Sequence, residues 1–434
     1  MNKDNKTIYA IATPPGKSAM ALIRVSGPKA YDCIKKISSN MPKKTHIATV
    51  NQIISDSEVV DQSITIFFKS PKSFTGEDMV EITVHGGRAV LKKIINIFNK
   101  NLDIRLANPG EFTRRSFENN KLDLTQVEAI ADIVNAETES QRKQAIGHLT
   151  GGFYKLSKEI FENIKKILAN IEAVIDFSEE DLPENLMIKI KEQIENNIII
   201  INNILEQSDI GVSLRDGFLV TLIGKPNTGK SSFINHVSGR DVAIVTNQPG
   251  TTRDLIESFL DINGYPIKFI DTAGIRDSDN LIENIGIEKA INSSKHSNIN
   301  LIFIKKPEDI SFFKDIENSI FVKSMQDISK SDFESPGYYN ISSKNGFGIK
   351  EILYIIEEKI SKKNVKESML ISRERHVGCF QEALYHLKNS KNEKSTDMLA
   401  EDVRMCLKEL SSLFGSVDIE DILDIVFNDF CIGK

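Results

Sequence analysis

The spacing of apolar side chains changes three times along the chain and divides it into four stretches. In the first stretch, short apolar runs lie between Gly and Pro positions and predict strands, with helix-like segments alternating between them. The predicted strands cover residues 8–12, 19–25, 63–68 and 79–84, and the predicted helices cover residues 30–37 and 89–99. We therefore expect a compact α+β domain over residues 1–119.

Helical spacing begins after Leu122 and continues through the second stretch, residues 120–214. One apolar stripe repeats every three or four positions, which puts its members on a single helix face. The stripe consists of Leu156, Ile160, Ile164, Ile167, Ile171 and Val174. The four-residue apolar run 198–201 is too short to span a bilayer and is predicted to be a buried helix turn.

The third stretch, residues 215–361, alternates strands and helices in the order strand, Gly-rich loop, helix, strand, which is typical of a parallel α/β arrangement. Helical spacing returns in the fourth stretch, residues 362–434. Since neither helical stretch shows a boundary of its own, we expect the two to pack together. The sequence thus predicts a multidomain protein of α/β and all-α domains, in which an α/β domain is inserted into a helical domain that is split in sequence.

Length and composition agree with this division. The chain has 434 residues, and roughly 150 residues per domain suggests about three domains. The formal net charge of −6 excludes a global basic field of the kind that drives non-specific nucleic-acid binding. Four widely separated cysteines without a CxxC pair argue against a zinc site or a disulfide framework, and no apolar stretch approaches a membrane span. A cytoplasmic location is expected.

A phosphate-binding loop lies at residues 224–231, where the sequence reads GKPNTGKS after a predicted strand and before a predicted helix. Its glycines let backbone N–H groups point toward phosphates, and the following helix presents its positive N-terminal end. Lys230 is predicted to reach the β and γ phosphates, and the Ser231 hydroxyl is predicted to bind Mg²⁺. The other predicted nucleotide contacts of this loop are Asn227, Thr228, Gly229 and Ser232. The insert is therefore expected to be a Ras-like P-loop domain.

Two further motifs follow the loop in the order that nucleotide hydrolases require. Residues 271–274 form a DxxG motif at the end of a predicted strand, and residues 246–252 offer a hydroxyl at Thr252 that is predicted to close on Mg²⁺ in the triphosphate state. The predicted nucleotide contacts here are Thr246, Gly250, Thr251, Thr252, Asp271, Thr272, Ala273 and Gly274. Ile275 stands where many small GTPases have a water-orienting glutamine. The remaining candidates in this segment are Glu283, Arg253 and Arg276, although spacing alone favours a solvated glutamate at a helix start for Glu283.

The base-recognition motif departs from NKxD, since residues 324–327 read SMQD. Asp327 can still accept hydrogen bonds from guanine, but Met325 replaces the lysine that packs on the base and Ser324 replaces the bracing asparagine. Ser342, Ser343 and Lys344 resemble the remaining guanine loop, so guanine stays favoured over adenine. Lower nucleotide affinity than in related proteins is expected.

With these motifs placed, the chain resembles the tRNA modification GTPase family MnmE, also called TrmE, along nearly its whole length. The stretches that carry the resemblance are residues 11–16 with 23–27, residues 74–87, residues 109–124, and the terminal FCIGK of residues 430–434. The resemblance implies GTP hydrolysis coupled to modification of C5 of uridine 34 in tRNA, adding aminomethyl or carboxymethylaminomethyl groups.

The resemblance also implies ligands and partners that composition could not reveal. The N-terminal domain would form a homodimer and hold 5-formyltetrahydrofolate or a related one-carbon folate, with Arg24, Glu81, Lys121 and Lys434 at the matching positions. Cys431 matches the place where folate and the uridine meet, although an isolated cysteine beside Phe430 is as well explained as a small buried hydrophobe. The implied partner is the FAD-dependent subunit MnmG, in a heterotetramer that acts on tRNA, with no membrane involved.

For the hydrolysis step the resemblance implies stimulation by K⁺, where other GTPases use an arginine finger. The implied K⁺ ligands are Asn227, Thr246, Gln248 and Thr251, and Glu283 matches the family's water-orienting glutamate, so Glu283 joins Lys230 as a predicted catalytic residue. Two alternative interpretations stay open. One is a ribosome-assembly or signalling GTPase, and the other is an interaction scaffold whose nucleotide domain has decayed, which Ser324 and Met325 would permit.

Overall fold

The computed structural model describes residues 6–176, 185–239, 256–271, 294–305, 307–324, 338–361, 371–393, 395–415 and 433. By their contacts, the residues divide into two compact units. One consists of Met1–Ala131 with Ser411–Lys434, and the other of Asp132–Leu410.

The first unit is built on a six-stranded sheet of order β3-β4-β5-β2-β1-β6. Its strands are β1 (Ile8–Ile11), β2 (Ser18–Ser26), β3 (Thr49–Ser55), β4 (Glu58–Phe68), β5 (Met79–Gly86) and β6 (Arg105–Leu106). Its helices are α1 (Ala30–Lys35), α2 (Arg88–Asn101), α3 (Glu111–Glu118) and the start of α4 (Leu124–Asn135). Ile23, Ile82 and Phe98 belong to the apolar core that forms among the strands and helices of this unit. The predicted α+β architecture is therefore confirmed.

The sequence pattern did not predict β3 and α3, because polar side chains interrupt the apolar residues on the buried face of each: Ile53 and Phe112 are buried, but so are polar neighbours. In β3, Asn51 is buried and its side chain donates to Thr65 Oγ1 on β4, while Val50 is exposed. In α3, Glu111 and Arg115 are buried and pair with each other at 2.9 Å. Apolar periodicity is hard to detect in an element that buries hydrogen-bonded polar side chains between its apolar ones.

The second unit contains helices in addition to those of the inserted domain. They are α5 (Glu139–Leu149), α6 (Gly152–Asp176), α7 (Leu186–Leu205), α8 (Ser208–Asp216), α11 (Glu374–Asn392) and α12 (Thr396–Ser412). One of them, α6, carries the predicted apolar stripe. Of the six predicted members of the stripe, Ile160, Ile164, Ile167 and Ile171 are buried, as their spacing predicts. Leu156 and Val174 are only half-buried. The run 198–201 forms a turn of α7, but only Ile198 and Ile201 are buried, whereas Ile199 and Ile200 are exposed. A helix turn presents its residues to different sides, so a continuous apolar run cannot be buried throughout on one face.

The inserted α/β domain has a second six-stranded sheet, of order β12-β11-β10-β7-β9-β8. The strands are β7 (Phe218–Gly224), β8 (Ile256–Ile262), β9 (Tyr265–Asp271), β10 (Ile299–Ile304), β11 (Ser319–Lys323) and β12 (Tyr338–Asn340), with α9 (Lys230–Ser238) and α10 (Ile349–Ser361) beside them. Every neighbouring pair is parallel except β8 and β9, which form an antiparallel hairpin. The carboxyl ends of parallel strands lie at one edge of a sheet, and this edge carries the phosphate loop, Asp271, Ser324 and Ser342.

The two helical stretches, which the inserted domain separates in sequence, pack together as predicted. Helix α7, which precedes the insert, lies against α11, which follows it. Phe153 of α6 is fully buried and stacks on the ring of His376 of α11, with 4.8 Å between ring centroids. In the part of the chain that the structure describes, no helix is both long and apolar enough to cross a membrane.

Replacing Phe153 with alanine should weaken the packing between the two helical stretches by about 3–5 kcal/mol, because it removes a fully buried ring and leaves a void. Hydrogen exchange of amides in α6 and α11 measures this loss locally, which suits a chain of several domains better than a global unfolding curve. Tyr385→Ala, at an exposed position of α11, is the matched control and should change protection by less than about 0.5 kcal/mol. Equal effects of the two variants would contradict the packing described here.

Candidate functional site

The phosphate-binding loop lies at the carboxyl end of β7, a strand that has parallel neighbours on both sides. Gly224 has φ +151°, and a Cβ at this position would lie 2.4 Å from the carbonyl oxygen of Phe303 on β10. Gly229 has φ +93° and is the residue from which α9 starts. Both positions therefore require glycine, one for close strand packing and one for the left-handed turn into the helix.

Lys230 is the first residue of α9, and its side chain turns back into the loop. Its Nζ donates to the carbonyl oxygens of Gly224 at 2.7 Å and Lys225 at 2.9 Å. Only 3% of the residue is exposed. Desolvation lowers the pKa of Lys230, and the nearby carboxylate of Asp271 opposes this effect. A buried ammonium held only by carbonyl oxygens is well suited to bind an anion that enters the loop.

Ser231 and Asp271 meet at the same edge of the sheet. Asp271 ends β9, and the Ser231 hydroxyl donates to its Oδ2 at 2.6 Å. The parallel register places Leu222 of β7 opposite Asp271, which brings the two motifs together although they are 40 positions apart. A hydroxyl and a carboxylate are hard oxygen ligands, and Mg²⁺ beside phosphates commonly takes only one or two protein ligands. The oxygens of Ser231 and Asp271 therefore have the chemistry that Mg²⁺ prefers.

Ser324 lies at the end of β11, and its hydroxyl donates to the carbonyl oxygen of Thr228 in the phosphate-binding loop. A Cβ on Gly229 would lie 3.2 Å from the Ser324 side chain, so the two loops pack closely. The first position of the altered base motif therefore contacts the phosphate loop, even though the residue is not asparagine. A serine hydroxyl suffices for this contact because the loops approach closely.

The second predicted base-contact segment follows β12. Ser342 is fully buried and its backbone N–H donates to the carbonyl oxygen of Phe347. The buried Oγ of Ser343 has no hydrogen-bond partner among the residues described. Lys344 is exposed. Ser324 and Ser342 follow two adjacent parallel strands, so both predicted base segments start from the same sheet edge as the phosphate loop.

Asp309 lies beside the phosphate loop, and the sequence pattern did not predict its contact with that loop. Its carboxylate contacts Lys225 Nζ at 3.0 Å, and Lys225 also lies 4.7 Å from the ring centroid of Phe312. Asp309 belongs to a short 3₁₀ helix, Pro307–Phe312, that follows β10. The sequence shows lysines directly after this strand, and the carboxylate comes only four residues beyond Lys305. The two lysines of the phosphate loop therefore take different partners, Lys230 inside the loop and Lys225 on the neighbouring 3₁₀ helix.

Arg24 and Glu81, two predicted folate contacts, lie opposite each other on β2 and β5 and form an ion pair at 2.8 Å. The guanidinium of Arg24 also lies 5.6 Å from the Phe74 ring centroid, and its Nη1 donates to the carbonyl oxygen of Gly433 at 3.4 Å. Gly433 has φ +109°, and a Cβ there would lie 2.9 Å from the backbone of Ile11 and Ala12. The terminal motif therefore reaches Arg24 through a glycine that no larger residue could replace.

Lys121, the third predicted folate contact in the described chain, lies beside the loop that joins β4 and β5. Its Nζ donates to the carbonyl oxygen of Pro71 at 3.0 Å, and its Cγ lies 3.3 Å from where a Cβ on Gly76 would stand. The same loop carries Phe74, which contacts Arg24. The structure therefore places Lys121 and the Arg24–Glu81 pair around one loop.

Buried charges hold that loop in place, and the sequence reasoning missed them too. Arg115 of α3 is buried and contacts Glu77 of the loop at 2.9 Å as well as Glu111. The hydroxyl of Ser26 donates to Glu77 at 2.8 Å. Burial raises the pKa of Glu111, but hydrogen bonds from Arg105, Asn108 and Arg115 outweigh this effect, and the net pKa is lowered. Glu111 therefore stays ionised, as its two arginine partners require.

Several predicted site residues lie outside the described residues, and their roles stay predictions. They are Thr246, Gln248, Gly250, Thr251, Thr252, Thr272, Ala273, Gly274, Glu283, Asp327, Cys431 and Lys434. Asn227 and Ser232 are described; both are exposed, and Asn227 has φ +57°. The structure thus brings together Thr228, Lys230, Ser231, Asp271 and Ser324 in one site.

Comparison with known proteins matches both parts of the chain to described families. Residues 7–121 match the model of the GTP-binding protein TrmE N-terminus, and residues 124–431 match the model of the MnmE helical domain.

Full-length relatives agree with these models. The chain is 42% identical to the tRNA modification GTPase MnmE of Pelagibacter ubique (strain HTCC1062), with 99% of this chain and all of that protein covered. It is 38% identical to the protein of the same name from Rickettsia prowazekii (strain Madrid E), again over 99% of this chain and all of that protein. The protein of that name from Wolbachia sp. subsp. Brugia malayi (strain TRS) is 37% identical over the full length of both chains. Together with the phosphate loop and the paired Arg24 and Glu81, these matches establish that the chain belongs to the MnmE family of tRNA modification GTPases.

Proposed function

We propose that this chain is the GTP-hydrolysing subunit of the complex that modifies C5 of the wobble uridine of tRNA. The observation that carries the proposal is the group formed by Lys230, Ser231 and Asp271 at the carboxyl edge of the inserted sheet. Family membership supports the reaction in which this hydrolysis takes part.

In the proposed reaction, Lys230 exchanges its carbonyl partners for the β and γ phosphates of the nucleotide. Because its ammonium is already buried, it needs no further desolvation when charge develops on the transferred phosphoryl group. The N-terminus of α9 and the backbone N–H groups of the loop add to this positive field. Lys230 therefore stabilises the transition state by electrostatics fixed in advance.

Ser231 and Asp271 are proposed to hold Mg²⁺ at the nucleotide, Ser231 directly and Asp271 at the end of its strand. The ion would neutralise charge on the β and γ phosphates when bound. The hydrogen bond between the two side chains keeps the hydroxyl oriented toward the carboxylate. Thr252, a further Mg²⁺ ligand in the prediction, lies outside the described residues.

Guanine is the proposed base, although the motif is altered. Ser324 still braces the phosphate loop through Thr228, one task that the missing asparagine would have. The Ser343 hydroxyl, which has no hydrogen-bond partner among the described residues, offers a further polar group in the predicted base segment. Asp327 is proposed to accept hydrogen bonds from the base. The loss of the lysine at Met325 supports weaker nucleotide binding than in relatives that retain it.

The one-carbon donor is proposed to be 5-formyltetrahydrofolate or a related folate, bound around the loop that carries Phe74. Arg24 suits the carboxylates of a folate tail, and Glu81 suits ring donors, since each forms charge-assisted hydrogen bonds with such groups. In the structure these two side chains hold each other, which keeps both ready in fixed positions. Lys434 and Cys431 are proposed to complete this site.

The proposed partners are a second copy of the chain, the FAD-dependent subunit MnmG in a heterotetramer, and tRNA, and the proposed location is the cytoplasm. Of the alternatives, the scaffold with a decayed nucleotide domain is the one that a specific observation favours, namely Met325 and Ser324 in the base motif. The alternative requires that Lys230 be dispensable.

Lys230→Ala is expected to lower kcat for GTP hydrolysis by at least about 100-fold and to abolish tRNA modification, because the charge inside the loop is lost. Lys225→Ala is the matched control, since this lysine of the same loop contacts Asp309 and Phe312. Its kcat should stay within about threefold of the parent. Steady-state phosphate release and the modified-nucleoside content of tRNA are the measurements. Unchanged modification in Lys230→Ala would favour the scaffold.

Hydrolysis is expected to be at least about tenfold faster in K⁺ than in Na⁺, because the fixed cation would act where other GTPases use an arginine. Glu283→Ala should remove the turnover while leaving GTP binding within a few-fold, since the residue is proposed to orient water and not to hold the nucleotide. Phosphate release in matched KCl and NaCl buffers, with ATP as a control substrate, measures both effects. Equal rates in the two salts would rule out the proposed cation.

Arg24→Ala is expected to weaken binding of 5-formyltetrahydrofolate by at least about tenfold, because it removes a charge-assisted contact and leaves Glu81 without its 2.8 Å partner. Arg114→Ala, which breaks the more exposed pair with Glu118 on α3, is the control and should bind folate normally. Isothermal titration with the folate reports both variants. If Arg24→Ala binds as tightly as the control, the proposed folate site is wrong.

A further inference from the structure

The chain passes between the helical domain and the inserted P-loop domain twice. The carboxylate of Asp132 contacts an arginine near each of these two connections. The first strand of the insert, β7, begins three residues after Arg215, the penultimate residue of α8. On the other side of the insert, Arg373 precedes the first residue of α11. Asp132 Oδ1 accepts from Arg215 Nε at 2.9 Å and from Arg373 Nη2 at 2.6 Å. Asp132 is largely buried, with 12% of its side chain exposed, so these bonds are shielded from solvent.

The start of α5 adds a third attachment beside the first two. Gln141, which closes a capping box with Thr138, also donates from Nε2 to the backbone carbonyl of Arg215 at 2.8 Å. Ser140 donates to the carbonyl oxygen of Gly264 twice, from its backbone N–H at 3.1 Å and from its hydroxyl at 2.6 Å. The helical domain therefore contacts the entry, the exit and the β8–β9 hairpin of the insert from one corner.

The hairpin connects this corner to the nucleotide site. Asn263 and Gly264 both have positive φ and form the two-residue turn between β8 and β9. From that turn, β9 runs about 20 Å to Asp271, at about 3.4 Å per residue. Asp271 accepts the hydrogen bond from Ser231. A single strand, paired on both sides, thus has one end at the proposed Mg²⁺ ligands and the other at Ser140.

We propose that Asp132, with Ser140 and Gln141, forms a joint that fixes the orientation of the inserted domain on the helical domain, and that β9 transmits the nucleotide state to this joint. Asp132 is a positioning residue in this proposal, because it touches neither nucleotide nor substrate. Two guanidiniums on one carboxylate oxygen fix the entry and exit segments relative to each other. Without that oxygen, the shared link between Arg215 and Arg373 would be lost, while the contacts of Gln141 and Ser140 would remain.

The test measures orientation directly, by double electron–electron resonance between spin labels at exposed positions 354 on α10 and 385 on α11. Genetically encoded labels leave the native cysteines in place, and dilution with unlabelled chain restricts the signal to distances within one chain. Asp132→Asn should at least double the width of the distance distribution, while Asp132→Glu should recover a narrow one. Asp216→Asn is the matched control, because Asp216 also contacts Arg215, at 2.6 Å, but is half-exposed and does not contact Arg373. Asp132→Asn with the parental width, or Asp216→Asn with equal broadening, would overturn the joint.

Transmission is tested with the same labels in the presence of GDP and of a non-hydrolysable GTP analogue. The parent should show a shift in mean distance between the two nucleotides, and Ser140→Ala should reduce that shift at least twofold. Thr150→Ala serves as the control, since the Thr150 hydroxyl bonds only to carbonyls of α5. A parent without a shift, or Ser140→Ala with the full shift, would refute transmission through β9.

GTP hydrolysis measured on the same samples separates this proposal from the proposed function. The kcat of Asp132→Asn should stay within about threefold of the parent, because the altered group lies outside the phosphate loop. If the parent chain binds nucleotide without hydrolysing it, the proposed function is contradicted. The distances between the labels at positions 354 and 385 would still decide whether the joint exists. If Asp132→Asn fails to fold, Arg373→Lys replaces it. This variant keeps the positive charge but removes the guanidinium group that bonds Asp132, and the same broadening of the distance distribution is expected.

Discussion

The parallel pairing of β7 with β9 on one side and β10 on the other is the arrangement on which the inserted domain depends. It brings the phosphate loop, Asp271 and the segment with Asp309 to one sheet edge from three distant parts of the sequence. The same pairing fixes the glycine at position 224, since the backbone of β10 leaves no room for a side chain there. Packing and chemistry are therefore constrained by one register, and a shift of β7 by a single residue would disrupt both.

Electrostatics differ between the candidate sites of the two units. In the phosphate loop, a lysine is buried against neutral carbonyl oxygens, so its charge is only partly compensated within the protein. Around Arg24 the charges are paired, since Arg24 contacts Glu81. Arg115 likewise contacts Glu77 of the loop between β4 and β5, and Glu111 of α3. The first arrangement favours capture of a strongly anionic group. The second keeps polar groups in fixed positions for a ligand that carries both charges and ring donors.

Elements that show apolar periodicity or a known motif were predictable from the sequence. Elements that bury polar side chains were not. The α6 stripe and the phosphate loop were predictable, because apolar spacing and glycine placement follow directly from helix geometry and backbone sterics. Strand β3 and helix α3 were not, since Asn51 and Arg115 point inward. Ser324 was predictable as a departure from the motif, but its contact with Thr228 depends on a loop-to-loop distance that only the fold determines. Asp309 gave no local signal, because its partner Lys225 lies 84 positions earlier.

The contact between Ser140 and Gly264 has a consequence for how this hairpin can change in evolution. The acceptor is a backbone carbonyl, so the path of the chain through the turn decides whether this contact forms. Surface turns generally accept inserted and deleted residues. Here an insertion would displace the carbonyl from α5, and we therefore expect turn length to be preserved among related chains even where the side chains of the hairpin drift.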